Sequence, residues 1–463
     1  MIRFFSINDP YRLLPLCAMM LLFGGVIHFM LPDIALTEIN GIIVGEMMND
    51  GKQLYAEIWT SISPISAFAE WILIKAGGRS IGLRHTLAVL LLCGQMGLFA
   101  ILLNRNQAFD QQGYLPALFF ACIVFISLDS IFMSREILAS GFLLLTLDRL
   151  FRQLQFRNQK DSILHLVGFY LGLASLCSFT YIIFFPAVFL ILAIGSILTF
   201  RMMLLLIVGF LFPHCLVNII WFSFGEWTAL WNNYYLTSLG LQTISFISIK
   251  SLLYLYAIPL TYFSLLLIFI SRHIRLTRYQ SQIFLIMLVW LGFGILEVIL
   301  TSQRTAQSLI VCAPPTAFLI THFILRIRKR WIAEIAVLVF FAGTLSVCIL
   351  SLQKRIPEIS FEQYFTGKNR ASFKNKRILS LTDDLSVFKN NQVATYFPEW
   401  KISAPLFRDP GFYENVIVLN NAFRRDPPDI IIDPENLMPG VFRYLPELSF
   451  RYRKSGSNYI RNN

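Results

Sequence analysis

Pro32-Asp33-Ile34-Ala35-Leu36-Thr37-Glu38-Ile39-Asn40-Gly41, then Gly45-Glu46, then Asn49-Asp50-Gly51-Lys52-Gln53-Leu54-Tyr55-Ala56-Glu57-Ile58-Trp59, closing at Ser63-Pro64, is an acid-rich loop set directly behind an apolar segment at 13–32. Five acids (Asp33, Glu38, Glu46, Asp50 and Glu57) fall within 25 residues. A carboxylate held in a partly dehydrated cleft beside a membrane can take a proton from a hydroxyl or hold a cation. The alternative is a solvated loop shaped by turn residues such as Asp50-Gly51. The preceding apolar segment is too long for a secretory signal and lacks a small-residue cleavage site, so it reads as an anchor.

The rest of the chain supplies the setting. Of its 463 residues 56% are hydrophobic and only 14% charged, too few charges to clothe a soluble globule of this size. The mean hydropathy is +0.62. Composition therefore excludes a soluble enzyme, a disordered tail and a collagen-like fibre, and predicts a polytopic α-helical membrane protein. Apolar stretches at 13–32, 85–103, 114–133, 137–151, 162–178, 180–200, 202–223, 251–270, 281–300, 307–325 and 332–352 predict about eleven transmembrane helices. Pro64 to Ala76 is too short to cross, carries Glu70, and reads as a half-buried interfacial helix. The seven cysteines all lie in apolar segments without CxxC spacing and read as small buried hydrophobes.

The net charge of +12 fits nucleic acid, anionic lipid or the loop bias of a membrane protein, and its distribution decides. With the N-terminus in the cytoplasm, the inner loops carry 15 basic residues against five acids. The outer loops and span ends carry seven against ten. This is the positive-inside pattern, and no nucleic-acid partner is needed to explain the charge. An odd number of spans then places residues 353–463 outside. The expected organisation is a transmembrane domain over 1–352 and a small α/β extracytoplasmic domain over 353–463. The transmembrane part has a large first outer loop at 33–84 and a second at 224–250. In the tail, Arg377–Leu381 and Asp429–Asp433 read as strands, Tyr413–Arg424 as a helix, and Ser449–Arg453 with Asn458–Arg461 as a hairpin.

Arg84, Arg135 beside Glu136, and Arg304 beside Gln303 fall where spans meet the outer surface. Guanidinium groups there suit a phosphate or pyrophosphate, or simply snorkel to lipid headgroups. Asp129 and Glu297 lie near outer span ends and either line a polar cavity or pair with Arg135 and Arg304 respectively. His28, His165, His214 and His322 read as isolated core residues. There is no Walker loop, GxGxxG before a helix, GxSxG or HExxH, so ATP-driven pumping, hydride transfer and serine or zinc hydrolysis have no support in the sequence.

An N-terminal anchor, a long outer loop opening with an acid, the run Gly51-x3-Tyr55-x-Glu57-x6-Pro64, many spans and an outer C-terminal domain together resemble the GT-C superfamily of membrane glycosyltransferases. That family includes the protein O-mannosyltransferases and the lipid A aminoarabinose transferase. The tail element Asp426-Pro427-Pro428-Asp429-Ile430-Ile431-Ile432-Asp433 is similar to one found near the end of many bacterial members. The resemblance implies a bacterial inner membrane, a periplasmic C-terminal domain and a sugar donor carried on polyprenyl phosphate. By position it implies Glu38 as the catalytic acid, with Asp33 second. Tyr55 and Glu57 match the second half of the loop and are read as substrate-binding. Basic residues at outer span ends bind the carrier phosphate in members of the family, and by placement the resemblance implies that role for Arg84, Arg135 and Arg304. Many members have adjacent acids where this chain has Thr37-Glu38. A single carboxylate makes a poor metal site, so no metal ligand or cofactor is assigned, a divalent cation being the alternative.

Two functions of different class follow. The leading one is an enzyme that moves a sugar from a polyprenyl-linked donor to a glycan, lipid or protein acceptor on the outer membrane face. The other is a non-catalytic scaffold that binds a lipid-linked glycan or an envelope-assembly partner. A transporter or flippase ranks third, because the sequence has no internal repeat and its intramembrane charges gather at one face.

Overall fold

The computed structural model describes residues 1–31, 34–155, 161–195, 199–240, 244–273, 277–359, 361, 364–365 and 373–462. The chain is mostly helical and forms two compact units that do not follow chain order. The first is built from Met1–Leu31, Ile81–Val217 and Leu241–Gln363. The second gathers Pro32–Ser80, Asn218–Gly240 and Tyr364–Asn463. Two loops of the sequence thus join the C-terminal region in one body.

The first unit holds the spans, apart from residues 218–223 at the end of one of them. Six described helices are long and apolar enough to cross a membrane: Pro10–Met30, Ile81–Arg105, Phe200–Ser223, Arg278–Leu300, Ala306–Leu325 and Arg330–Leu352. A seventh crossing is available if Ile249–Leu255 and Ala257–Ile268, bent by 67°, form one broken span. Among the described residues, six or seven of the eleven expected spans thus appear as helices of spanning length. The predicted span at 114–133 is a helix only over Leu115–Val124, about 15 Å long against about 30 Å of hydrocarbon. It breaks into a 3₁₀ turn at Leu128–Ile131. The predicted spans at 162–178 and 180–200 appear as the shorter apolar helices Ser162–Cys177 and Phe179–Ile194. The stretch 137–151 lies within Arg135–Gln155, whose Asp148 meets Arg105, Arg149 and Arg152 in ion pairs. Apolar composition signals burial in protein as well as in lipid. Every residue of Leu115–Val124 is buried, and it packs on Ala306–Leu325, itself 89% buried.

Close helix approach in this unit rests on glycine. A methyl group on Gly172 would lie 2.5 Å from the carbonyl oxygen of Phe210, and Gly168 and Gly209 likewise face the opposite backbone. Small residues let the two helices pack backbone to backbone where no hydrophobic effect drives them together.

The second unit opens with helix α1 (Leu36–Asn49) and helix α2 (Pro64–Gly77). The chain leaves α1 through Gly51 at φ +85°. It enters α2 with Pro64 in the first turn, where a missing N–H costs nothing. The C-terminal part is a five-stranded mixed sheet: β1 (Arg377–Ser380), β2 (Gln392–Val393), β3 (Ile430–Ile432), β4 (Tyr452–Ser455) and β5 (Asn458–Arg461), in the order β2-β1-β3-β5-β4. β1 runs parallel to both β2 and β3, whereas β5 is antiparallel to β3 and β4. Helices Trp400–Arg408 and Tyr413–Arg425 cover it, with a core that includes Leu379, Ile431, Phe407, Leu419, Phe423, Tyr452 and Tyr459. The hairpin forms, but its first strand is Tyr452–Ser455; residues 449–451 belong to the helical turn Pro446–Arg451.

Candidate functional site

The acid singled out by the sequence lies in the first turn of α1. Glu38 is only 2% exposed although it is a carboxylate. Its place near the helix N-terminus puts the charge where the helix dipole favours an anion. The face it belongs to, at i, i+3 and i+7, continues through Gly41 and Gly45. Both glycines lie against Glu70 of α2. A methyl on Gly41 would sit 2.5 Å from Oε1 of Glu70, and one on Gly45 would sit 2.8 Å from its carbonyl oxygen. Glu70 is itself buried, at 7% exposure. The structure thus adds a second buried acid, from the neighbouring helix, to the face that carries Glu38. The sequence signal for Glu70 was a lone acid inside an otherwise apolar stretch. Asp33, the second candidate acid, lies outside the described residues.

Tyr55 is the hub of the loop after α1. It is fully buried and holds φ +70°, a conformation few non-glycine residues adopt. Its hydroxyl donates to the carbonyl of Ile62 at 2.7 Å, and its own carbonyl accepts from Nδ2 of Asn233 at 2.7 Å. Its ring stacks on Tyr234 at 6.0 Å and meets Trp221 at 5.6 Å. Burial, reinforced by the nearby Tyr234 and Tyr235, holds its phenol well above the ordinary tyrosine range. The group stays neutral and ties the first loop to the 218–240 segment. Glu57 pairs with Arg425 and accepts from the amide of Gln53 at 3.1 Å, which fastens the same loop to the C-terminal helices.

Among the described residues, no group of three or more His, Cys, Asp or Glu side chains is arranged to hold a metal ion.

In the first unit, Arg84 is fully buried on the helix Ile81–Arg105. Arg135 and Arg304 converge on one loop, at 301–304. Arg135 donates Nε to Glu136 at 2.9 Å and reaches Ser302 Oγ at 3.3 Å, Thr301 Oγ1 at 3.5 Å and the carbonyl of Gln303 at 3.4 Å. Arg304 turns back on the helix that precedes it and donates to the carbonyls of Ile299 at 2.7 Å and Val298 at 3.3 Å. A cation there satisfies the orphan carbonyls and the dipole of the C-terminal turn. Glu297 therefore does not pair with Arg304. It is fully buried, accepts from Thr180 at 3.0 Å and lies within the electrostatic reach of Arg135. Asp129 accepts from Ser127 and from the amide of Gln307 at 2.8 Å. His28 is not isolated either, because its Nδ1 meets Nδ1 of His85 at 2.8 Å. A partner 57 residues away is invisible to local pattern.

No protein-family model and no curated protein matches the sequence. Among solved structures, the chain is similar to ArnT from Cupriavidus metallidurans bound to undecaprenyl phosphate, with 12% identity and a TM-score of 0.52, over 76% of this chain and 74% of that one. It is also similar to the Archaeoglobus fulgidus oligosaccharyltransferase tethered with an acceptor peptide, with 11% identity and a TM-score of 0.49, over 98% of this chain and 74% of that one. Both are GT-C membrane glycosyltransferases. At such identities the likeness is one of fold, and the chain is a polytopic membrane protein with a GT-C-like fold.

Proposed function

We propose that the protein is a glycosyltransferase that moves a sugar from a polyprenyl-phosphate-linked donor to an acceptor hydroxyl at the outer face of the membrane. The observation that carries this reading is the fold likeness to a structure bound to undecaprenyl phosphate. The burial of Glu38 in the first turn of α1 supports its role as base. Glu38 takes the proton from the acceptor hydroxyl as the oxygen attacks the anomeric carbon. The bond from that carbon to the phosphate oxygen breaks, and its electron pair leaves with the carrier phosphate. Arg84 and Arg135 offset the developing negative charge, as donors in an oxyanion hole do. Arg304 is the weakest of the three assignments, because its guanidinium already serves the end of a helix. Tyr55 and Glu57 support catalysis by holding the loop. The charge bias of the loops supports an N-terminus in the cytoplasm and a C-terminal domain outside.

The test is transfer from a radiolabelled polyprenyl-phosphate sugar by the purified full chain. Glu38→Gln is expected to lower the rate by about 10²–10⁴-fold, the usual worth of a positioned base, with donor binding retained. A folded Glu38→Gln protein with full activity removes the base assignment. The single acid at Thr37-Glu38 keeps the scaffold reading as the alternative. Mass spectrometry that finds a lipid-linked sugar co-purifying with the protein and never consumed, whatever the acceptor, favours it.

A further inference from the structure

We propose that an arginine cluster at one end of the spanning helices, in the first unit, binds the headgroup of an anionic phospholipid whose acyl chain lies along the adjoining face of the helix Ile81–Arg105. This site shares no residue with the proposed transfer site. Its centre is Asp148, a buried carboxylate. Arg105, the last residue of its helix, pairs with Asp148, and Nδ2 of Asn106 donates to the same carboxylate at 3.3 Å. Arg152 and Arg149 approach it through Nε at 3.5 and 4.0 Å.

One carboxylate thus faces three guanidinium groups. Its charge is matched by Arg105, which leaves two positive charges over. Arg149 and Arg152 make no side-chain hydrogen bond to Asp148 or to any other described residue, and each side chain is 28% exposed. Their forked N–H groups suit a phosphate. Helix dipoles do not account for Arg149. That effect is confined to the last turn, and the helix runs on from Arg149 to Gln155.

Position selects the kind of phosphate. Arg84 and Arg105 lie near the two ends of one helix, about 32 Å apart by helical rise, close to the hydrocarbon thickness of about 30 Å. The cluster therefore stands at headgroup level on the membrane face away from Arg84. The face of the helix that ends in Arg105 runs through Leu90, Gly94, Gly97 and Ile101, at steps of four or three residues. Leu90 and Ile101 are exposed, and a Cβ on either glycine would meet nothing within 4 Å. The two glycines leave a shallow apolar trough that leads to the arginines. An acyl chain fits along it, whereas a free phosphate would use none of it. A zwitterionic lipid would bring a cation of its own to a cluster that is already positive. The charge bias of the loops supports a cytoplasmic setting for this end, where the leaflet is negatively charged.

The probe is dioleoylphosphatidylglycerol, titrated against the purified full chain in a neutral detergent, with bound lipid counted by native mass spectrometry. Saturable binding is expected, at least about tenfold tighter than that of dioleoylphosphatidylcholine, the factor that 1.4 kcal/mol produces. Arg149→Gln combined with Arg152→Gln is expected to remove most of that preference. In this variant Asp148 keeps Arg105 and Asn106 as partners. Gly94→Leu with Gly97→Leu fills the trough, leaves every charge in place, and is expected to weaken binding of the lipid as well. Absence of saturable binding, or undiminished binding by either folded variant, overturns the assignment. Equal binding of the phosphatidylcholine overturns its anionic part. Equal competition by inorganic phosphate or glycerol phosphate overturns its lipid part and leaves a site for a free anion. None of these outcomes depends on transferase activity.

Discussion

A methyl group at position 45 would lie 2.8 Å from the carbonyl oxygen of Glu70 and 3.0 Å from its carbonyl carbon. Both atoms are backbone, so only a shift of one helix against the other relieves the clash; at Gly41 the nearest atoms belong to the Glu70 carboxylate, which can swing aside. Gly45→Ala is therefore expected to cost about 1–3 kcal/mol, the usual penalty for overpacking. The cost should appear as a lower melting midpoint in detergent. Gly94, with nothing within 4 Å of a Cβ, is the control: Gly94→Ala should not lower the midpoint. An unchanged midpoint for Gly45→Ala would show that α1 and α2 are not packed as described. At this scale the sequence made the acids of the first loop legible, because five carboxylates in 25 residues behind an anchor are unusual in so apolar a chain. It did not show that Glu70 shares a face with Glu38. That relation depends on two glycines letting a second helix approach, which no spacing within α1 reveals. Tyr55 was visible as part of a motif, yet its φ of +70° and its bond to Ile62 give it a loop-holding role that the motif alone does not specify.

Among elements, the closing hairpin shows what local chemistry can and cannot define. Gly456 at φ +65° and Ser457 form a two-residue turn, and that turn sets the register of β4 on β5. β5 follows the sequence pattern, whereas β4 starts later than expected because Pro446 opens a helical turn. Tyr452, the first residue of β4, is buried, and its hydroxyl donates to the carbonyl of Pro428 at 3.0 Å. Burial pushes its phenol up to about 12, against about 10 in an unfolded chain. The folded state therefore keeps a proton that the unfolded state loses. The stability it contributes is complete below about pH 10 and is lost as pH rises towards about 12. Tyr452→Phe should melt lower than the unaltered chain at pH 8, since one hydrogen bond worth about 1 kcal/mol is missing. The difference should shrink or reverse above pH 11, where only the tyrosine pays to stay neutral. Melting curves of the full chain across pH 8–12 check this. A difference that does not change with pH contradicts the buried setting of the ring. The spans teach a related lesson: hydropathy located the apolar stretches, but it could not separate a lipid-facing helix from Leu115–Val124, which protein buries on every side.

For the molecule as a whole, chain order hides how the second unit is assembled. Residues 50–63 are tied to the C-terminal region at four points more than 330 residues away in sequence. Lys52 pairs with Asp426 at 2.5 Å and donates to the carbonyl of Thr395 at 2.9 Å. Glu57 meets Arg425, and the Trp59 amide donates to the carbonyl of Tyr396 at 2.8 Å. Glu399 accepts from the amide and hydroxyl of Ser61 at 2.8 Å each and from Thr60 at 3.2 Å. The loop has little regular structure of its own to protect its backbone, so its order depends on those partners. Glu399→Ala removes three of these bonds without touching the core of the sheet. It is expected to speed cleavage within residues 50–63 under limited proteolysis of the full chain. A chain cut short after residue 363 should be cleaved there faster still, while far-UV circular dichroism retains the signal of the spanning helices. If the loop stays protected in both variants, the bonds to the C-terminal region are ornamental, and the first loop orders itself. If it becomes labile only in the shortened chain, the apolar packing of Trp59 on Phe397, at 5.5 Å between rings, holds it more firmly than the carboxylate of Glu399.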